Sequence, residues 1–152
     1  MAPPELRFAF EIEATVATPL DLGVTQAGHR RIIPIAGGTV SGPKLQGRIL
    51  PIGADWQIVR TDGTADLDAR YTIQTDDGAL IYVVNRGVRH GPPEVLARLN
   101  RGELVDPASY YFRSGARFET SAPEHAWLTR AILVGVGERY PDKVVIRFWE
   151  LL

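Results

Sequence analysis

The feature that most constrains this chain is a strict alternation of polar and apolar residues near its middle. Over residues 66–74 the apolar side chains fall on every second position, at Leu67, Ala69, Tyr71 and Ile73. A period of two is typical of a β-strand with one buried face. Turn sequences flank this strand at Thr61-Asp62-Gly63 and Asp76-Asp77-Gly78, and each offers a glycine for positive φ. The stretch Gly53–Gly87 is therefore predicted to form three antiparallel strands joined by two tight turns.

Short β-rich segments separated by turn residues fill most of the remaining chain. Further strands are predicted at 6–15, 30–35, 44–50, 110–113, 116–120, 125–136 and 143–152. Pro34 lacks an amide hydrogen, which indicates a sheet edge or a bulge. The one predicted helix runs from Pro92 to about Arg101, with proline in its first turn and Gly102 as its stop. Nine or ten strands with one short helix predict an all-β antiparallel sandwich or barrel. We favour the β-barrel, because closure removes free sheet edges.

Length and charge narrow the range of functions. A chain of 152 residues suits a single domain, 1–152. The net charge of −1 argues against a nucleic acid or an anionic membrane as partner, and the longest apolar run, 131–136, is too short to span a bilayer. The absence of cysteine excludes disulfides and thiolate chemistry. The start shows no signal-peptide pattern, so we expect a cytoplasmic protein, and apolar strand surface predicts a homodimer or higher oligomer.

Charged residues inside otherwise apolar strands suggest a pocket. The polar face of residues 66–74 could face solvent or line a wet barrel lumen, and both orientations remain open. Arg113 and Glu119 lie in the aromatic segment YYFRSGARFET, where a buried charge would need a partner. A carboxylate could act as general base and an arginine could hold an oxyanion. The candidate catalytic residues are Asp55, Asp68, Arg70, Arg113 and Glu119. The candidate ligand-binding wall is Trp56, Tyr71, Tyr82 and Trp127.

Several of these segments resemble one family of proteins. The stretches GADWQIVRTDGTADLDARYTIQTDDGALIYVVNRG, YYFRSGARFET and AWLTRAILVGVGER are similar to those of the DUF3237 family, also called UPF0311. The resemblance runs from the first strand to the last. It implies a calycin-like β-barrel of bacterial or fungal origin, in a family whose members are mostly of unassigned function.

Three functions are consistent with these residues. The first is an enzyme of isomerase, cyclase or hydrolase type that acts on a small organic molecule inside the barrel. The second is a barrel that binds a small ligand without catalysis, and the third is a structural module of an oligomer. No cofactor or metal is expected, because the three histidines lack metal-site spacing and the glycines at 135 and 137 precede no helix.

Overall fold

The computed structural model describes residues 1–152 and is built almost entirely of strands. The nine strands are β1 (Leu6–Val16), β2 (Leu20–Thr25), β3 (Gly28–Ser41), β4 (Gly47–Val59), β5 (Ala65–Thr75), β6 (Leu80–His90), β7 (Tyr111–Glu119), β8 (Leu133–Arg139) and β9 (Lys143–Leu151). One α-helix, α1 (Pro93–Asn100), follows β6. Two 3₁₀ helices cover Pro107–Ser109 and Pro123–Thr129.

Eight of these strands close into an antiparallel barrel. The sheet order is β1-β9-β8-β7-β6-β5-β4-β3-β2, and an additional pairing of β1 with β3 closes the cylinder. The long strand β3 makes closure possible, because its first half pairs with β2 and its second half with β1. Strand β2 has a neighbour on one side only and extends outside the barrel. The predicted all-β antiparallel barrel with one short α-helix is thereby confirmed.

The central three strands have the predicted register. Strand β5 pairs with β4 and β6 in antiparallel ladders, and the turns place Gly63 and Gly78 at φ of 87° and 89°. Leu67, Tyr71 and Ile73 are buried, so the apolar face of β5 points into the barrel. Its polar face points outward, which decides between the two orientations that the sequence left open.

Four segments differ from the predicted strands. Strand β4 does not stop at Pro51 but continues past it, because the ladder with β5 shifts register between Ile49 and Gly53 and needs no amide hydrogen there. Strand β3 likewise runs through 37–38, and β7 runs unbroken through 114–115. The predicted strand 125–136 is wrong over its first half, which is the 3₁₀ helix Pro123–Thr129.

The two ends of the barrel are covered differently. The 3₁₀ helix Pro123–Thr129 connects β7 to β8 at one end, where its Leu128 is 1% exposed. Phe10, Phe118 and Phe148 pack within the same core cluster, with ring centroids 5.0–6.2 Å apart. Helix α1 connects β6 to β7 at the other end and buries only Leu99. No helix of the protein combines the length and the apolar character that membrane crossing would take.

Candidate functional site

A cavity of about 70 Å³, called here the inner chamber, lies inside the barrel. Apolar side chains from β1, β3, β5, β7 and β9 form most of its wall. Four polar side chains from four adjacent strands also line it: Asp55, Tyr71, Asn85 and Ser114. Apolar walls with a few placed polar groups are the usual lining of a ligand site.

Asp55 enters the chamber because of the irregularity in β4. Beyond the register shift, Asp55 lies opposite Ala69 of β5 and Ile33 of β3, and both of these residues also line the chamber. Gly53 begins this segment at φ of 123°, where the carbonyl of Arg70 approaches so closely that a side chain would not fit. The bulge therefore fixes the position from which the carboxylate points inward.

Two hydrogen bonds hold the Asp55 carboxylate. The backbone N–H of Asp68 donates to Oδ1 at 2.9 Å, and Gln57 Nε2 donates to Oδ2 at 3.2 Å. Burial raises the pKa of Asp55, and these bonds together with the positive charge of Arg89 oppose the rise only in part. A carboxylate with a raised pKa is a better proton acceptor than an ordinary aspartate.

A hydrogen-bonded relay connects Asp55 to the helix-covered end of the barrel. Arg31 Nη1 donates a hydrogen bond to Gln57 Oε1 at 3.3 Å, and Gln57 Nε2 donates a hydrogen bond to the Asp55 carboxylate. Gln57 is only 2% exposed. The relay fixes the orientation of the carboxylate, since both ends of the Gln57 amide are occupied.

The other three polar groups of the chamber are unpartnered. Tyr71 Oη, Asn85 Oδ1 and Ser114 Oγ are buried and have no hydrogen-bond partner within the protein. Burial raises the pKa of Tyr71, so its phenol stays protonated. Buried polar atoms without partners are uncommon in proteins and often mark functional positions. Here they leave one phenol donor and two oxygen acceptors free to contact a ligand.

Above the chamber, at the end covered by α1, lies a second cavity of about 220 Å³ that we call the arginine mouth. It shares Val16, Ile33 and Val144 with the inner chamber, so the two spaces adjoin. Its polar lining includes three arginines from three strands: Arg31, Arg89 and Arg139. No aspartate or glutamate lines it.

Arg89 is the most buried of these three arginines. It is 6% exposed on β6, and its guanidinium lies 5.8 Å from the ring centroid of Phe112. Burial, reinforced by repulsion from Arg139, lowers the pKa of Arg89 to about 9. The side chain therefore still carries its charge at neutral pH. Burial and repulsion from Arg31 likewise lower the pKa of Arg139.

Of the two orientations that the sequence leaves open for Asp68 and Arg70, the structure has the outward one, so neither residue meets Asp55 inside the barrel. Both residues lie on the outer face of β5, where Arg70 Nη2 approaches Asp68 Oδ2 at 3.3 Å and Arg86 Nε approaches Asp68 Oδ1 at 3.6 Å. They border an open surface groove together with Trp56. The physical reason is the alternation itself, because the barrel interior takes the apolar face and leaves charges in water.

Other predicted site residues also lie outside the chamber. Arg113 and Glu119 are exposed on β7, and Arg113 lies over the ring of Tyr111. Tyr82 is 38% exposed and pairs across the sheet with Glu119. Trp127 lies at the opposite end of the barrel, beneath the ammonium group of Lys44. Of the nine predicted residues, Asp55 and Tyr71 line the inner chamber; a catalytic or binding role for any of the nine stays a prediction.

Sequence reasoning missed Gln57, Asn85, Arg89 and Ser114. The signal that could have found them is parity along each strand. Asn85 and Arg89 share the parity of the buried Ile81 and Val83 on β6. Ser114 shares the parity of Phe112 and Ala116 on β7 in the same way. A polar residue on the buried face of a strand was the pattern to look for.

The structure also brings one histidine near two acids. His125, Asp77 and Glu124 each place a possible ligand atom within 4.8 Å of the others. His125 Nε2 lies 3.5 Å from Asp77 Oδ1, so this pair connects the 3₁₀ helix to the β5–β6 turn. Both acids are exposed, and exposed clusters of this kind are common without a metal.

Comparison with known proteins places the chain in a family. Residues 4–151 match the family model described as a protein of unknown function, DUF3237. The chain belongs to the DUF3237 family. A UPF0311 protein of Rhodopseudomonas palustris, RPA1785, is 45% identical over 148 residues, which cover 97% of each chain. Its crystal structure, described as that of a conserved protein of unknown function, superposes with a TM-score of 0.94 and covers 100% of both chains.

Two further relatives are similar over nearly the whole chain. A β-barrel-like protein of Acinetobacter baumannii is 44% identical, with a TM-score of 0.87 over 100% of this chain and 98% of its own. A more distant relative in Penicillium herquei is named the hydroalkoxylation enzyme phnH. It is 24% identical over 149 residues, which cover 98% of this chain and 85% of that protein. The family thus has no established function, while one distant relative is an enzyme.

Proposed function

We propose that this protein is a small-molecule enzyme that transfers a proton inside the barrel, of the isomerase or cyclase type, with Asp55 as the general base. The observation that carries the proposal is the inner chamber, where a carboxylate with a raised pKa shares an apolar space with a protonated phenol. Paired proton acceptors and donors in a largely dry site are what proton-transfer catalysis requires.

A reaction that fits these groups is the addition of a substrate hydroxyl to a conjugated carbon–carbon double bond. Asp55 accepts the hydroxyl proton while the new carbon–oxygen bond forms. The electron pair of the double bond moves to the carbonyl oxygen, and the Tyr71 O–H donates a hydrogen bond to that oxyanion. Protonated Asp55 then returns the proton to the adjacent carbon. Atoms and charge balance without a cofactor. The name of the distant relative, the hydroalkoxylation enzyme phnH, supports this class of reaction, the addition of a hydroxyl group to a double bond.

The test is an assay on a panel of α,β-unsaturated ketones that carry a hydroxyl group, followed by the loss of enone absorbance. We expect Asp55→Asn to lower kcat by about 100- to 10,000-fold, the usual contribution of a general base. Asp68→Asn is the matched variant on the outer face of the barrel, and we expect near wild-type rates from it. Its backbone N–H still holds Asp55.

Two outcomes would count against the proposal. Full activity in Asp55→Asn would remove Asp55 as the base. A wild-type protein that binds panel members and returns them unchanged would instead be the non-catalytic ligand-binding barrel.

A further inference from the structure

The positive charges of the arginine mouth have no acidic partners. Twelve contacts join a basic nitrogen to a carboxylate oxygen within 4.0 Å, and none includes Arg31, Arg89 or Arg139. Arg31 and Arg139 each donate one hydrogen bond to a neutral amide, at 3.3 Å in both cases. The mouth therefore concentrates three positive charges on a chain whose net charge is −1.

Arg89 is the clearest case because it is buried without an ion pair, and the charge of Asp55, which lies beyond ion-pair distance, offsets its burial only in part. A buried charge is normally paired and hydrogen-bonded. Arg89 is 6% exposed, yet its guanidinium has no acid within ion-pair distance and faces the cavity walled by Arg139. Repulsion from Arg31 and Arg139 adds to the free-energy cost of burying the charged guanidinium. A fold that keeps such a group has a use for its charge, and an incoming anion supplies the missing partner.

The inner chamber beneath the mouth defines the rest of the ligand. Its wall is mostly apolar, and it adjoins the mouth through Val16, Ile33 and Val144. A molecule that spans both spaces presents an apolar body to the chamber and a negative charge to the arginines. Simple inorganic anions match only the mouth.

We propose that the substrates are apolar organic acids, bound with the carboxylate at Arg31, Arg89 and Arg139 and the apolar part in the inner chamber. This proposal rests on the proposed function, because it assigns a substrate class to the same site. It makes the three arginines the specificity-determining residues. Asp55 then lies beside the apolar portion of the substrate, where the reacting carbon or hydroxyl is placed.

The probes are trans-cinnamate, its neutral amide cinnamamide and inorganic phosphate, with binding measured by calorimetry. We expect the wild type to bind cinnamate more tightly than either of the other two. Arg89→Met should weaken cinnamate by about 10- to 100-fold, the usual effect of losing a charged hydrogen bond, and leave cinnamamide unchanged. Arg117→Met is the matched control, since Arg117 is exposed on the outer face of β7 and forms no ion pair.

A thermal melt separates a binding role for Arg89 from a structural one. If its charge serves a ligand, Arg89→Met removes repulsion and desolvation and leaves Tm unchanged or raised. A lowered Tm together with unchanged cinnamate affinity would make Arg89 a structural residue and overturn the proposal. Arg139→Met, nearer the surface of the mouth, repeats the binding test if Arg89→Met does not fold.

The remaining outcomes are also decisive. A wild type that binds neither organic probe, or binds both equally, overturns the proposal, and so does phosphate binding as tight as that of cinnamate. Asp55→Asn should still bind cinnamate. An active Asp55→Asn would therefore refute the catalytic base and leave the acid selectivity standing, so that the two failures can be told apart.

Discussion

Two aspartates on adjacent strands show how strongly position determines chemistry. Asp55 and Asp68 are joined by a hydrogen bond from the backbone of one to the carboxylate of the other. Asp55 lines the inner chamber, whereas Asp68 lies outside between Arg70 and Arg86. The same side chain is therefore a candidate base on one side of the barrel wall and part of a surface ion-pair network on the other, where exposed pairs contribute little stability.

The buried charge of Asp55 should appear in the pH dependence of stability. Because its pKa is raised in the folded protein, the native state binds more protons than the unfolded state between about pH 3.9, the ordinary aspartate value, and the raised value. The free energy of unfolding contributed by this group must fall as pH rises through that window. Asp55→Asn lacks this term. We therefore expect the unfolding free energy of Asp55→Asn to rise relative to that of the wild type as pH increases over this range.

Urea denaturation at a series of pH values from acid to neutral measures the difference in unfolding free energy between Asp55→Asn and the wild type. Only the change of this difference with pH tests the prediction, because the loss of a hydrogen-bond acceptor in the variant adds an offset that is the same at every pH. Asp68→Asn serves as the exposed comparison. If the stability of Asp55→Asn relative to the wild type stays constant, or falls as pH rises, burial does not raise the pKa of Asp55.

At the scale of elements, alternation predicted β5, turn residues predicted the two turns that flank it, and proline and glycine signals predicted α1. These patterns did not predict the bulge in β4, because a shift of register depends on partner strands that are distant in sequence. The 3₁₀ helix Pro123–Thr129 was missed for a related reason, since an apolar run can close a barrel end as well as continue a strand. Asn85 and Ser114 were readable from parity, but only once the barrel interior is known to be the buried side.

Strand β8 carries a glycine that makes room for the chamber. A side chain at Gly135 would collide with Ser114 Oγ and meet Ile146 Cγ2 at 2.9 Å. We expect Gly135→Ala to lower the free energy of unfolding by about 1–3 kcal/mol through overpacking. Gly115→Ala is the matched control, because a Cβ there meets nothing within 4 Å.

Chemical denaturation of the two variants checks this prediction. Equal stability of Gly135→Ala and Gly115→Ala would mean that the Ser114 position is loosely packed, and Ser114 would lose its place as a fixed chamber residue.

At the scale of the whole molecule, closure leaves β2 as the strand with a free edge. Its neighbour lies on one side only, and Leu20, Leu22 and Val24 are 53–85% exposed. The homodimer or higher oligomer predicted from the sequence therefore has a strand edge available for pairing. The cytoplasmic location stays a prediction, and fractionation of the host tests it.

Sedimentation equilibrium tests the oligomer directly. We expect the wild type to sediment as a dimer or larger species, and Leu22→Asp to shift it toward the monomer. A wild type that remains monomeric at every concentration examined would contradict the prediction, without bearing on the inner chamber.

The proposed chemistry requires a proton-accepting carboxylate inside the barrel, and the charge of Arg89 in the arginine mouth lowers the pKa of that carboxylate. A ¹³C NMR titration of the Asp55 carboxyl group measures this without knowledge of the substrate. We predict that Asp55 titrates above the ordinary aspartate value of about 3.9. We also predict that its pKa rises further in Arg89→Met, because the Arg89 charge favours the carboxylate form. An Asp55 that titrates at or below the ordinary value, and does not respond to Arg89→Met, would contradict the account.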